Sequence, residues 1–295
     1  MTSFRSIESA LEKDAFLMSE PAATSGPGRT PRRAPRHRPT AGGVAGELLL
    51  TAGVLLVLFV IYEAFWTNLA SARLQSEAAA ELEEQWGGAP SVAAREPVPP
   101  PVPPLGDPFA RVHLPTLGPD AVYAVVEGVR AEDLRTGPGH YPGTQMPGEP
   151  GNSALAGHRN GSGAVFEHLD RLNSCDAIVV ETETQWQTYR LLPVEAGGTQ
   201  RRAAAQRCLT PRQVDRVTSG DYLHVAGRHI TTPDDVGVIA PQPGARPPTS
   251  GEAPERLLTL TTCHPMYSNA ERLIVHAALV EATAKTDGRP AALEE

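Results

Sequence analysis

An uninterrupted apolar run near the N-terminus constrains this chain more than any other feature. It extends from Val44 to Trp66, and its uncharged centre covers Leu48 to Tyr62. A membrane-spanning helix needs about 20 predominantly apolar residues, so the run predicts a single transmembrane helix. A cleaved signal peptide is the alternative, but the run begins behind a long tail and no small-residue cleavage site flanks it. We therefore expect an uncleaved anchor in the lipid bilayer.

Charged residues on either side of this run predict its orientation. Five arginines lie between Arg29 and Arg38, before the run, and four glutamates follow it at positions 77, 81, 83 and 84. Taken alone, the arginine cluster also fits a solvated charge run or a nucleic-acid patch. Its place before an apolar span instead favours the positive-inside rule. The N-terminus should be cytoplasmic and the rest of the chain extracellular, with no nucleic-acid partner.

Composition divides the rest of the chain into segments. Residues 1–43 lack apolar periodicity and predict a disordered cytoplasmic tail. Behind the transmembrane helix at 44–66, residues 67–106 predict a juxtamembrane helix and a proline-rich spacer that holds the next domain off the membrane. Residues 107–284 predict the extracellular folded domain, and residues 285–295 predict a disordered C-terminal tail.

The folded domain contains short β-type runs separated by turn residues. This spacing predicts an all-β barrel or sandwich with minor helices. Helical spacing is seen over Val165–Leu172, and a polar insert, Glu195–Gly227, has helical character at Pro211–Thr218. The arginines of the insert are either substrate contacts or solvated side chains, and we favour the second. The runs cover residues 110–114, 121–126, 152–157, 175–183, 187–194, 257–263 and 272–277.

The last two β-type runs bring a cysteine beside an arginine. One run ends in Cys263, and after a short loop the next begins at Arg272. Strands joined this closely should pair, which places these two residues near each other. Side chains alternate along a strand, so Cys263 shares a face with Thr261 and Thr259, while Thr262 and His264 face the other way.

This alternation makes His264 a poor base for activating the thiol of Cys263. A cysteine nucleophile commonly takes its base from a distant part of the sequence. The best candidate is His158, which ends the run from Asn152 and precedes Arg159. The other two cysteines, Cys175 and Cys208, either form a disulfide or remain buried free thiols.

The residues around Cys263 resemble a known family. Thr259–Cys263, TLTTC, matches the TLxTC signature of sortases, the membrane-anchored cysteine transpeptidases of Gram-positive bacteria. His158 and Arg272 stand where that family has its upstream histidine and downstream arginine. The CHP that begins at Cys263 and the YPGT that begins at Tyr141 resemble class E sortases of high-GC actinobacteria. The resemblance covers roughly residues 109–280 and implies an eight-stranded closed β-barrel.

The resemblance implies a mechanism, partners and no cofactor or metal. Cys263 would be the nucleophile, His158 the general acid and base, and Arg272 the group that stabilises the oxyanion and positions substrate. The substrate would be a surface protein with a C-terminal LAxTG or LPxTG signal, cleaved between Thr and Gly. The acceptor would be an amine of peptidoglycan or of its lipid-linked precursor.

The remaining expectations concern specificity and an alternative function. Tyr141 falls where class E enzymes carry a tyrosine near the second residue of the signal, which favours LAxTG, although Tyr141 could instead pack its own loop. Thr261 and Thr262 are further substrate-binding candidates. The alternative function is a membrane-tethered binding or scaffold domain that keeps the barrel without activity.

Overall fold

The computed structural model describes residues 40–87, 96–244 and 253–295. The chain divides into two compact units, Met1–Gly53 and Val54–Glu295. Nearly all of the predicted cytoplasmic tail lies outside the described residues. The second unit contains the β-domain.

One long helix, α1 (Ala41–Trp86), covers both the apolar run and the segment after it. Its residues Ala41–Tyr62 are long and apolar enough to cross a membrane, with a mean hydropathy of 2.5. At about 1.5 Å per residue, these 22 residues extend about 33 Å, close to the thickness of a bilayer core. The predicted transmembrane and juxtamembrane helices are therefore parts of a single helix.

Eight strands close into a barrel in the described part of the chain, as the resemblance predicted. Around the ring the order is β6-β5-β1-β2-β3-β4-β8-β9, and β9 pairs again with β6. A further strand, β7, pairs with β9 outside the ring. The bounds are β1 Pro108–His113, β2 Val122–Glu127, β3 Gly139–His140, β4 Gly151–Ala156, β5 Ala177–Glu181, β6 Gln185–Leu191, β7 Arg228–Thr231, β8 Arg256–His264 and β9 Glu271–Ala284.

Side-chain alternation on β8 separates the barrel core from an outer polar face. Leu258 and Leu260 are buried in the main core together with Val275 of β9. Thr259 lies on the opposite face of β8 and hydrogen-bonds His276 of β9. The inward face is therefore apolar, and the outward face carries the groups capable of chemistry.

The helix expected over Val165–Leu172 is wrong. Only Leu169–Arg171 forms a single 3₁₀ turn. Ser162 and Ala164 adopt positive φ in the preceding loop, and the backbone N–H of Phe166 donates to the carbonyl of His158. Side chains of turn residues point into the core here, and their spacing along the sequence matches that of a helix. The apolar pattern alone does not distinguish such turns from a helix.

The polar insert forms two helices, α3 (Gly198–Gln206) and α4 (Pro211–Thr218), so helical character in the second is confirmed. Of its arginines, Arg202, Arg207 and Arg212 are exposed, as expected, and two are buried. The guanidinium of Arg201 is 2% exposed and donates to four backbone carbonyls. Arg216 is also buried and pairs with Asp221 and Glu255. These two side chains stabilise the insert.

The proline-rich segment is not a free spacer. Gln185 on β6 accepts a hydrogen bond from the backbone of Val98 at 2.7 Å and donates one to the carbonyl of Glu96 at 2.8 Å. The end of α1 also packs on the barrel, because Leu82 is fully buried and Gln75 exchanges hydrogen bonds with the backbone of Ala124. The proline-rich segment and the end of α1 are thus both part of the folded domain.

The C-terminal residues are ordered, which corrects the disordered tail expected over 285–295. Two 3₁₀ turns form at Lys285–Asp287 and Ala291–Glu294. Ala292 is buried against Trp186 and other apolar residues of β5 and β6, and the carboxylate of Glu295 pairs with Arg190 at 2.5 Å. This end of the chain covers the outside of β5 and β6.

Cys175 and Cys208 form a disulfide, which decides between the two alternatives left by the sequence. It links the residue two before β5 to the loop between α3 and α4, with 33 positions between the cysteines. Cys263 is the free cysteine. The disulfide therefore fastens the insert to the barrel and leaves one thiol for chemistry.

We expect the double substitution of Cys175 and Cys208 by alanine to lower the free energy of unfolding by about 3–4 kcal/mol, because the 33-residue cross-link restricts the unfolded chain. Urea denaturation of the detergent-solubilised protein measures this. Thiol titration of the unreduced, denatured protein should find one thiol, and Cys263→Ala, the matched control, should reduce that number to zero. Three titratable thiols would contradict the disulfide.

Candidate active site

Cys263 and Arg272 are direct partners across the β8–β9 pair. Both lie at the ends of their strands that adjoin the connecting loop, and both are partly exposed. They share the outward face with Thr261 and Ile274, which form the next pair along the two strands. The structure thus brings the predicted thiol and guanidinium together as the sequence pattern suggested.

His158 reaches the same row from the other side of β8. β4 runs parallel to β8, and Ala156 stands opposite Thr261. The hydrogen bond from the N–H of Gly157 to the carbonyl of Thr261 continues the pairing past β4. β4 ends at Ala156, and this register continued for two more residues would align His158 with Cys263 and Arg272 in one row.

Burial sets the charge state of His158. The ring is about half-buried, and loss of water lowers its pKa below the ordinary value of 6.5. The neutral imidazole therefore predominates at pH 7. A neutral ring can accept a proton from a neighbouring thiol, which is the first requirement for a general base.

Arg272 is held by its own loop. Its Nη1 donates to the carbonyls of Asn269 and Glu271 at 3.0 and 2.9 Å. These bonds restrict the side chain beside Cys263 while involving only one of the three guanidinium nitrogens. A planar fork of this kind suits an oxygen that gains negative charge.

Tyr141 lies over the outward face of β8. Its hydroxyl is 2.9 Å from the hydroxyl of Thr261, which is itself 4% exposed. Tyr141 is held by a turn in which Thr144 donates to its carbonyl. Thr261 thus holds the hydroxyl of Tyr141 over the outward face of β8.

Thr262 lies on the opposite face of β8 from Cys263 and Thr261. It is 3% exposed, and its hydroxyl donates to the carbonyl of Gly157 at 2.8 Å. This bond joins the end of β8 to the segment that carries His158. Thr262 therefore supports the site from below and is not positioned to touch a substrate.

A buried polar row lies next along the outward face. Thr259 donates to the side-chain oxygen of Asn152 at 2.6 Å, and its oxygen lies 2.8 Å from Nδ1 of His276. Because the threonine proton goes to Asn152, Nδ1–H of His276 is the donor in the second bond. Complete burial lowers the pKa of His276 to about 3, helped by the stacked ring of His229.

Arg159 was missed by the sequence analysis. It is 5% exposed, and its Nη1 lies 2.5 Å from Nδ1 of His264 and 3.4 Å from the carbonyl of Cys263. Its Nη2 pairs with Asp170 at 3.1 Å. The only sequence signal was its place directly after His158, and one arginine beside a histidine does not predict a buried contact.

The row of His158, Cys263 and Arg272 combines a base, a nucleophile and a cation. This set suits acyl transfer through a thioester, because the proton, the new bond and the developing negative charge each have a group beside them. Across the described ranges, no cluster of three or more His, Cys, Asp or Glu side chains converges as metal ligands would.

Comparison with known proteins assigns the family. A family model described as a sortase domain matches residues 112–280, more than half of the chain. The chain belongs to the sortase family. Sortases are cysteine transpeptidases, so the family resemblance seen in the TLTTC segment is confirmed, and the eight-stranded barrel is the fold expected of a sortase.

Individual relatives refine this picture. Sortase E1 of Streptomyces coelicolor is 31% identical over 274 residues, which are 89% of this chain and 65% of that protein. Sortase E2 of the same organism is 29% identical and is covered over 92% of its length. A solved structure, sortase F from Corynebacterium diphtheriae, is 50% identical, with 70% of this chain and 100% of that chain covered and a TM-score of 0.63. This sortase therefore spans about two thirds of sortase E1.

We expect stability to fall with acid through His276. Its folded pKa, about 3, lies below the ordinary 6.5, so the unfolded chain takes up the proton first as pH falls. Unfolding free energy should decline between pH 6.5 and 3 by about 1.4 kcal/mol per pH unit for this group. His276→Asn, which can still donate to Thr259, should remove that share of the slope in urea denaturation, whereas the control His168→Asn should not. Equal slopes in all three proteins would contradict this.

Proposed function

We propose that this sortase cleaves a C-terminal sorting signal between Thr and Gly and joins the surface protein to an amine of peptidoglycan or its lipid-linked precursor. The observation that carries the proposal is the direct pairing of Cys263 with Arg272 across β8 and β9, and its support is the parallel pairing of β8 with β4, the strand that leads into His158. The same three residues stand in the order that the sortase signature requires. An inactive scaffold would have no need for this arrangement.

The first half of the reaction forms a thioester. The thiol proton of Cys263 passes to the neutral imidazole of His158 while sulfur attacks the carbonyl carbon of the signal's threonine. The carbonyl oxygen becomes an oxyanion, which the free nitrogens of Arg272 and a backbone N–H stabilise. When the C–N bond breaks, the imidazolium of His158 gives its proton to the departing glycine amine.

The second half reverses these proton movements. The incoming amine attacks the thioester carbon, and His158, again neutral, takes the proton that the amine must lose. Collapse of the second oxyanion breaks the C–S bond, and the sulfur of Cys263 recovers a proton from His158. One peptide bond has been exchanged for another. Water in place of the amine would give hydrolysis.

Signal preference follows from the surface near Tyr141. Its hydroxyl, fixed by Thr261, lies on the outward face two positions from Cys263 along β8. An extended signal with threonine at the thiol places its second residue further along this face. The polar hydroxyl favours a small residue whose N–H remains free, and proline has no N–H, so we propose preference for LAxTG over LPxTG.

The long helix α1 supports a membrane location. Its apolar part, Ala41–Tyr62, is the candidate span, and the arginines between Arg29 and Arg38 precede it. By the positive-inside rule, the N-terminus lies in the cytoplasm and the barrel outside the cell. The free thiol then faces the envelope, where sorting signals and wall amines are found.

The test is mass spectrometry of the detergent-solubilised full chain with an LAxTG peptide and an amine acceptor. Wild type should form an acyl-enzyme on Cys263 and release the transpeptidation product. Cys263→Ala should form neither. Arg272→Lys, which loses the planar fork, should lower kcat/KM by about 10²-fold, the usual effect of losing an oxyanion donor.

His168→Asn is the control, since this histidine is about one-third exposed and lies outside the row. It should react like wild type, whereas His158→Asn should lose nearly all activity. Failure of wild type to form a thioester with either LAxTG or LPxTG peptides would favour the scaffold alternative.

We expect Tyr141→Phe to reduce the preference for LAxTG over LPxTG by about fivefold, which corresponds to one hydrogen bond of about 1 kcal/mol. The ratio of the two kcat/KM values measures this. Tyr267→Phe removes the same hydroxyl from a ring that is 83% exposed and serves as the control. An unchanged ratio in Tyr141→Phe would assign Tyr141 to packing of its own loop.

A further inference from the structure

Two guanidinium groups lie near Cys263, and they differ in where they face. Arg272 is partly exposed on the outward face, across the strand pair from the thiol. Arg159 is buried and contacts the backbone carbonyl of Cys263 at 3.4 Å. Because Arg159 is buried and Arg272 is partly open to solvent, a substrate can meet Arg272 but not Arg159.

The contacts of Arg159 join the two chain segments that carry the site. One end of the fork touches Cys263 and His264, at the end of β8, and the other pairs with Asp170 beyond the loop after His158. The residue itself directly follows His158. One buried side chain thus ties the base segment to the nucleophile segment at the point where the ladder between β4 and β8 ends.

We propose that Arg159 is a positioning residue, which fixes the separation of the Cys263 sulfur and the His158 ring through its bond to His264. Beyond β4, regular strand pairing no longer holds these two segments. Further links between them are the backbone bond from Gly157, the hydroxyl of Thr262 and the bond from the backbone N–H of Tyr267 to the side-chain oxygen of Asn160. Proton transfer between thiol and imidazole is sensitive to small displacements, and a shift of about 1 Å can cost about 10²-fold in rate.

The chemistry of the two side chains fixes which group donates in this contact. A guanidinium only donates hydrogen bonds and does not lose its proton. Nδ1 of His264 is therefore the acceptor, and the proton of its ring lies on Nε2.

The charged groups around His264 are few. Arg159 faces its Nδ1, Asp170 neutralises part of that guanidinium, and Glu271 is the cross-strand partner of His264. Cys263 precedes it in the chain. These groups, together with burial of Arg159, hold the contact in place.

The experiment measures the rate at which iodoacetamide alkylates Cys263 in the full chain, from pH 5 to 8, alongside thioester formation with an LAxTG peptide. This inference rests on the proposed function only through the peptide arm. Alkylation reports the coupling of thiol and imidazole whatever the substrate is. Loss of the peptide reaction in wild type would overturn the proposed function while leaving the alkylation profiles to decide the role of Arg159.

Arg159→Gln should slow thioester formation by about 10–100-fold with little change in KM, and should alter the pH profile of alkylation. Arg171→Gln, at an exposed arginine on the nearby 3₁₀ turn, should match wild type in both. Wild-type rates and profile in Arg159→Gln would overturn the proposal.

Two substitutions of His264 cover the case in which Arg159→Gln does not fold. His264→Asn keeps an acceptor for Arg159, so its rate of thioester formation and its alkylation profile should stay close to those of wild type. His264→Leu removes the acceptor and should be slow, with an altered alkylation profile. Wild-type rates and profile in His264→Leu would overturn the proposal.

Discussion

The pairing of β8 with both of its neighbours is the interaction on which the site depends. β8 runs parallel to β4 on one side and antiparallel to β9 on the other. A fixed register on both sides pairs Cys263 with Arg272 and places the end of β4, two residues before His158, beside Thr261. Slippage by one residue on either side would send a side chain to the opposite face. The core leucines on the inward face of β8 oppose such slippage, because it would expose them.

The outward face shows how polar groups can be buried without loss of stability. Asn152, Thr259 and His276 form a chain of hydrogen bonds in which each proton has an acceptor. Such a row is stable because every buried group is satisfied. Farther along the same face, the side chains become accessible. The thiol of Cys263 is therefore open to reaction, unlike the buried polar groups.

Much of this arrangement was predictable from local sequence. Alternation along β8 and a short connecting loop placed Cys263 beside Arg272, and the face assigned to Thr259 and Thr261 is the one found. The position of His158 depended on the resemblance, because the parallel pairing of β4 with β8 joins strands about 100 residues apart in sequence. No local pattern specifies that pairing.

The expectations that failed share a physical cause. Arg201 and Arg216 looked solvated because their carbonyl and carboxylate partners come from several separate segments. The last residues of the chain looked disordered because Trp186, against which Ala292 is buried, is distant in the sequence. Arg159 was missed for the same reason, since its acceptors lie 104 and 105 positions away. The periodicity of apolar residues describes the faces of a single helix or strand. The contacts of these residues join several elements, so periodicity does not reveal them.

Because the end of α1 docks on the barrel, this part of the helix belongs to the enzyme's folded domain. Leu82 is packed against Ala124, and farther back along the helix Asn68 accepts a hydrogen bond from the backbone of Gly163. Gly163 belongs to the loop that follows His158. A recombinant fragment begun at the proline-rich segment would therefore be an incomplete protein, with a bare apolar patch on β2 and a catalytic loop missing one of its supports. Measurements on such a fragment would describe an active site that is less rigid than that of the full-length protein.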